Sequence, residues 1–231
     1  MIQDMVNLEQ TIQASLTTIS QWDVTNGIRG GSLILLVGAF EKYIKDSIEE
    51  SMGKIKNHRP RITFDNLPAK LQITSMFETM RIAINGKSFE KVKEDITRFP
   101  NLISAGQLVS NKEVNPDAFG DLFSNPNPSR VNTVYTSIGI HDIFSKIRIE
   151  FLNTYPGTPT INVTEFIKEK LEEVLEKRNS IAHTADANMV TSTDLTKYIE
   201  FIETLAKSLD VIIEDHIHQI ILNRGHSNYT T

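Results

Sequence analysis

Apolar residues recur along this chain at steps of three and four, and the strict alternation of a half-buried strand is almost absent. Such a chain must bury helical stripes against one another, which restricts it to an all-α fold. Met5, Leu8, Ile12, Leu16 and Ile19 form a first stripe. Asn26-Gly27 and Gly30-Gly31 then predict a break, with Ser32 capping a second helix that buries Leu33, Leu36, Val37, Phe40, Ile44 and Ile48 and stops at Gly53. A third helix is expected from Pro68 to Ile84 with Leu71, Met76, Phe77, Met80 and Ile84 as its buried face. A fourth shows Phe89, Val92, Ile96 and Phe99 before Pro100 ends it.

From Asn101 to Asn127 turn formers are dense, so this stretch reads as an insert or crossing loop in which Leu102, Ile103, Phe119 and Phe123 still require burial. Short helices follow at Ser129–Ile138 and His141–Phe151, split by Gly139. Asn162 to Glu165 reads as a capping box, opening a helix through Ile167, Leu171, Val174, Leu175, Ile181 and Ala182. Ser192 to Asp194 start a last long helix along Tyr198, Ile202, Leu205, Leu209, Ile212 and Ile220. The expected architecture is a single α-helical domain over residues 1–231. Two long antiparallel C-terminal helices close it, a loop-rich helical insert occupies about 101–160, and 224–231 form a frayed tail.

With 231 residues the chain can bury a substantial core, and its zero cysteines exclude disulfides, thiolate metal sites and a cysteine nucleophile. The start lacks a basic stretch followed by an apolar one. The most apolar run, Leu33 to Phe40, falls far short of the ~20 residues of a membrane span. A cytoplasmic protein with no membrane contact is expected. A net charge of −5 argues against a generally basic nucleic-acid coat, although local patches still decide phosphate affinity.

Lys54, Lys56, Arg59 and Arg61 fall within eight residues that contain no acid, a segregation that fits phosphate binding and equally fits a solvated helix C-terminus. Gly86-Lys87-Ser88 resembles the end of a phosphate-binding loop, but the glycine required five residues earlier is Arg81. Glu214 and His218 lie one helical turn apart without an evident third ligand, so no metal is expected, and His216 reads as a packed histidine.

The segment around Arg178 is the most informative. Arg178 falls on the stripe Leu171, Val174, Ile181 where an apolar side chain is expected, and a guanidinium there must reach an anion, a carbonyl or solvent. It could equally bridge to a carboxylate of its own helix. Asn179 follows, and His183 lies about 140° around an ideal helix from Arg178. The two border one cleft only if the helix ends near Ala182 and turns the histidine inward.

An Arg-x4-His motif at the end of an amphipathic helix, followed by another long helix, resembles the HEPN superfamily of α-helical bundles. Leu35-Leu36-Val37-Gly38-Ala39-Phe40-Glu41-Lys42-Tyr43 and the stretch from Asn125 to Ile140 are similar to the RiboL-PSP-HEPN branch. The resemblance is strongest over Ser32–Glu50 and Thr164–Ile221. It implies a metal-independent endoribonuclease of a toxin–antitoxin, abortive-infection or antiphage system, working without cofactor as a homodimer whose composite site joins two copies of the motif. Carried onto this chain, the catalytic set is Arg178, Asn179 and His183, with Glu41 as an orienting group, and Lys54, Lys56, Arg59 and Arg61 would guide RNA. The 2′-OH of RNA is the nucleophile, an imidazole can move the proton, and a guanidinium can hold phosphate oxygens in a bidentate fork. The products would be 2′,3′-cyclic phosphate and 5′-hydroxyl ends. The implied partners are the RNA substrate, a second copy, and an antitoxin or defence-system protein. The alternative is a non-catalytic HEPN module that binds RNA or a nucleotide, or serves as an interaction subunit.

Overall fold

The computed structural model describes residues 19–84, 99–120, 123–184 and 190–222, together with Asn7 and Thr11. The stripe residues Met5, Leu8, Ile12 and Leu16, most of the helix expected after Gly86, the Gly86-Lys87-Ser88 triplet and the tail from Asn223 lie outside these residues. Helix α1 spans Ile19–Asn57 without interruption. The breaks expected at Asn26-Gly27 and Gly30-Gly31 therefore do not occur, and Ser32 is no cap. Its hydroxyl donates to the Ile28 carbonyl at 2.8 Å, as a serine inside a helix does. Each interior glycine costs about 1 kcal/mol against alanine. Burial of Leu33, Leu36, Val37, Phe40, Ile44, Ile48 and Met52 outweighs that at ~1.5–3 kcal/mol per large side chain. Packing likewise carries α1 past Gly53, so that Lys54 and Lys56 occupy its last turn, where cations complement the helix dipole.

A 3-10 turn at Phe64–Asn66 follows α1, then α2 (Ala69–Ala83), α3 (Phe99–Ser110), α4 (Asp117–Gly120), α5 (Pro128–Ser137), α6 (Ile143–Thr154), α7 (Val163–Thr184) and α8 (Ser192–Leu222). No strand occurs among the described residues. The described chain divides into two compact units. One takes the residues up to Tyr43, Asn125–Pro128 and Phe144–Leu209, and the other Ile44–Ser124, Ser129–Ile143 and the residues from Asp210.

In the first unit α7 and α8 are tied together as a hairpin. Glu173 accepts from the Tyr198 hydroxyl at 2.7 Å and from Lys170 at 2.8 Å, and the Lys170 ammonium lies 5.1 Å above the Tyr198 ring. Burial alone would push the Glu173 carboxyl up, but the two hydrogen bonds, with the charges of Lys170 and Lys177, outweigh it and hold it below its ordinary value. Burial and the bond to Glu173 together raise the Tyr198 hydroxyl. Phe151 of α6 meets Phe201 of α8 edge-on at 5.7 Å, and Tyr155 bridges Phe201 and Phe166. Tyr43 of α1 donates to the Ala206 carbonyl at 2.8 Å. A capping box does occur here, but at α8: Asp194 N–H donates to Thr191 Oγ1 and Thr191 N–H to Asp194 Oδ2, both at 3.1 Å. At the start of α7, where one was expected, Asn162 sits at a φ of 60° and Glu165 instead takes Lys168 at 2.9 Å.

The second unit corrects the expected face of α2. Leu71 is buried as expected, but Thr74, Ser75, Glu78 and Thr79 also point inward, while Phe77 and its neighbour Ile73 are each 64% exposed and Met76 and Met80 are exposed too. Two of the inner polar groups are satisfied within the helix. Thr79 donates to the Ser75 carbonyl at 2.6 Å and Glu78 pairs with Arg81. Helix α2 packs on α3 and α4. Helix α3 occupies part of the stretch expected as loop, and Pro100, expected to end a helix, lies in the first turn of this one, where its missing N–H costs nothing. Phe119 and Phe123 are buried as required, whereas Ile103 is 48% exposed. Helix α5 ends as expected at Gly139. Its φ of 96° allows Gly139 N–H to reach Thr136 O and Ile140 N–H to reach Tyr135 O, closing the helix in a Schellman motif.

Two outcomes test the clamp and the cap. Tyr198→Phe keeps the ring but strips Glu173 of a donor, and it should destabilise the protein by about 1 kcal/mol in urea unfolding. Asp194→Ala should cost about 1 kcal/mol at neutral pH. Hydrogen bonds from Thr191 hold the Asp194 carboxyl below its ordinary 3.8. The cap's contribution is therefore fully present above that value and fades as pH falls through the lower folded-state value, so the mutant and wild type should converge only in strong acid.

Candidate functional site

Arg178, Asn179 and His183 share α7, in the unit that the Glu173–Tyr198 bond organises. The register is set by Ile167, Leu171, Val174, Leu175 and Ile181, all buried. Arg178 continues that buried row and is half-buried. Its Nε is shielded from solvent and has no hydrogen-bond partner. A buried donor without an acceptor on a permanently charged group is costly. Asn179, one residue on, is exposed.

Helix α7 continues through Ala182 to Thr184, so His183 remains helical and exposed instead of turning inward. In its last turn the Thr184 hydroxyl donates to the Ser180 carbonyl at 2.8 Å. The angle of about 140° between Arg178 and His183 is therefore retained, and one copy of α7 presents the two side chains on different faces. Glu41 lies half-buried on α1, in the same unit as α7.

The basic segment divides. Lys54 pairs with Glu50 at 3.1 Å one turn back, and Arg59 donates to the His58 carbonyl at 3.0 Å. Lys56 and Arg61, in contrast, line one small depression together with Lys112 and Glu113. Neither Lys112 nor Glu113 was singled out by the sequence pattern. The available signal is that they are the only charged residues between Phe99 and Pro116. Arg61 pairs with Glu113 at 3.3 Å and Lys112 with Asp65 at 2.8 Å.

Glu214 and His218 are both exposed, and no group of three potential metal ligands gathers among the described residues. His216 is half-buried, with Nε2 2.9 Å from the Ile138 carbonyl beside the Gly139 turn, the packed role its position suggested. None of the described helices is long and apolar enough to cross a membrane.

No curated protein and no solved structure matches the chain. A family model described as RiboL-PSP-HEPN matches residues 2–215. That span takes in α1 through α7, with Arg178, Asn179 and His183, and most of α8. The helical fold, the α7–α8 hairpin and this match together show that the chain belongs to the RiboL-PSP-HEPN family.

Proposed function

We propose that this protein is a metal-independent endoribonuclease, acting as a homodimer in a toxin–antitoxin or antiphage defence system. The observation that carries the reading is Arg178: a half-buried cation with an unpartnered inner donor, on the helix that also carries Asn179 and His183, in a HEPN-family chain. Members of such families commonly cleave RNA. The nucleophile is the substrate's own 2′-OH, so the protein needs only a proton acceptor and a stabiliser of negative charge. His183 takes the 2′-OH proton, and the Arg178 fork holds the non-bridging phosphate oxygens as the 2′-oxygen attacks phosphorus. The bond from phosphorus to the 5′-oxygen breaks, that oxygen receives a proton, and a cyclic phosphate remains. Asn179 orients the imidazole or the phosphate, and Glu41 orients Arg178 or His183.

The helical geometry bears on the assembly. Two side chains about 140° apart on one regular helix do not converge on a single phosphate. Two copies of α7 facing each other across a dimer axis bring the Arg178 of one beside the His183 of the other. The same divergence favours a second reading, a HEPN module that binds RNA without turnover.

Purified protein should cleave total or transfer RNA in EDTA and leave 2′,3′-cyclic phosphate ends, with Arg178→Ala and His183→Ala each lowering the rate by at least about a hundredfold. Binding without cleavage by the wild type favours the non-catalytic module. For the composite site, equal mixing of refolded Arg178→Ala and His183→Ala chains should restore about a quarter of wild-type activity, because half the dimers carry one intact site. A mixture as inactive as its components, or a monomer in sedimentation at micromolar concentration, counts against a site shared between copies.

A further inference from the structure

Lys56, Arg61 and Lys112 all line a depression of about 20 Å³, with Glu113 as the one carboxylate in its wall and Ile62 and Phe64 among its apolar lining residues. That volume admits an ion or a single phosphate's outer oxygens, not a base. The three cations come from three segments: the last turn of α1, the stretch before the 3-10 turn, and the end of α3.

The backbone at Lys112 strengthens the case. Helix α3 closes in a Schellman motif, with Lys112 N–H reaching Val109 O at 3.1 Å and Glu113 N–H reaching Leu108 O at 2.9 Å. Lys112 fills the left-handed position of that motif at a φ of 53°. Glycine is the usual occupant, and an L side chain is strained there. The strained position puts Lys112 in the wall of the depression that Lys56 and Arg61 also line, and its ammonium donates to both Asp65 oxygens, at 2.8 and 2.9 Å.

The Lys112–Asp65 pair is exposed on both sides, and the Arg61–Glu113 pair is exposed on the arginine side. The side chains of Arg61, Lys112 and Asp65 are each more than half exposed, and ion pairs of that kind contribute little. A phosphate bearing more charge than a carboxylate can take their place. Lys54 and Lys56 offset the negative end of the α1 dipole, which would otherwise repel an anion.

We infer that the Lys56–Arg61–Lys112 notch binds a phosphate group of single-stranded RNA, with Glu113 and Asp65 as exchangeable guards. The inference extends the ribonuclease reading by adding a substrate subsite made of residues distinct from Arg178 and His183. The phosphate is either the strand's 5′ end or an internal diester.

The test is fluorescence anisotropy of the full chain with a 2′-O-methylated RNA of about twelve nucleotides, which blocks 2′-OH attack, in 5′-phosphate and 5′-hydroxyl forms. Arg61→Gln and Lys112→Gln should each weaken binding about fivefold at low salt and lower the salt slope by about 0.7. Glu113→Gln should tighten binding by releasing Arg61. Lys112→Gly should weaken binding while raising Tm, which separates loss of the contact from loss of the fold. A Lys112 effect that disappears with the 5′-hydroxyl RNA assigns the notch to strand ends, and one that persists assigns it to the backbone. Wild-type affinity and slope in either cation-to-glutamine variant, weaker binding in Glu113→Gln, or no binding by the wild type overturns the inference. Because the probe cannot be cleaved, this pattern is read independently of turnover, so an inactive enzyme with an intact notch pattern overturns the ribonuclease reading alone.

Discussion

The Glu173 carboxylate, shared between the Tyr198 hydroxyl and the Lys170 ammonium, is the contact on which the C-terminal hairpin depends. The carboxylate is only partly shielded, with 44% of its side-chain surface exposed, and its geometry supports the register that the buried apolar row sets. Slipping α7 along α8 by one residue would rotate its buried row by about 100° and leave Glu173 without its donor. With the register held, Leu171, Val174 and Ile181 turn inward and Arg178 is obliged to follow them. The half-buried guanidinium is thus a consequence of how the hairpin is clamped. It is also the reason that a cation, which cannot deprotonate to relieve the cost, stays poised for an anion.

Much of the fold was legible from periodicity. Helices α7 and α8 carry long, uninterrupted stripes, and Gly139 ends α5 where its turn chemistry says it should. Where structure and periodicity differ, packing outweighs the local signal. Gly27, Gly30 and Gly31 are poor helix residues, yet α1 passes through them because the burial beyond them is large. Pro100 stops a helix when it comes late and starts one when it comes in the first turn, and the sequence alone does not say which. On α2 the apolar stripe was real, but a stripe fixes only an angle around the helix, not which neighbour lies there. The inner face sets Thr74, Ser75, Glu78 and Thr79 beside Leu71 and Ala83; Thr79 donates to the Ser75 carbonyl, Glu78 pairs with Arg81, and the Asn115 N–H lies 3.4 Å from Ser75 Oγ.

The candidate residues divide along the same line. Arg178 was visible as an anomaly because a charge interrupting an apolar register needs no three-dimensional information to be noticed. The orientation of His183 depended on where α7 ends, and helix ends are the least legible feature of any sequence. Lys112 joins Lys56 and Arg61 only through the path of the chain, so no local pattern connects them. What the sequence did offer was an isolated charged pair in an otherwise uncharged stretch, a signal that gains meaning only beside its spatial neighbours.

The acidic balance of the whole chain makes the placement of its cations more consequential. At a net charge of −5 the average field repels RNA, so attraction must come from positions where positive charge locally exceeds negative. Lys54 shares its charge with a carboxylate a turn away, while Arg59 donates to a neutral carbonyl and keeps its charge. In the notch three cations face a single lining carboxylate, and at Arg178 an inner N–H has no acceptor. Such sites favour a densely charged phosphate over a carboxylate, since only the former recovers the loose pairs it displaces. An RNA-binding surface assembled this way would be selective by default, because most of the molecule repels what these few positions attract.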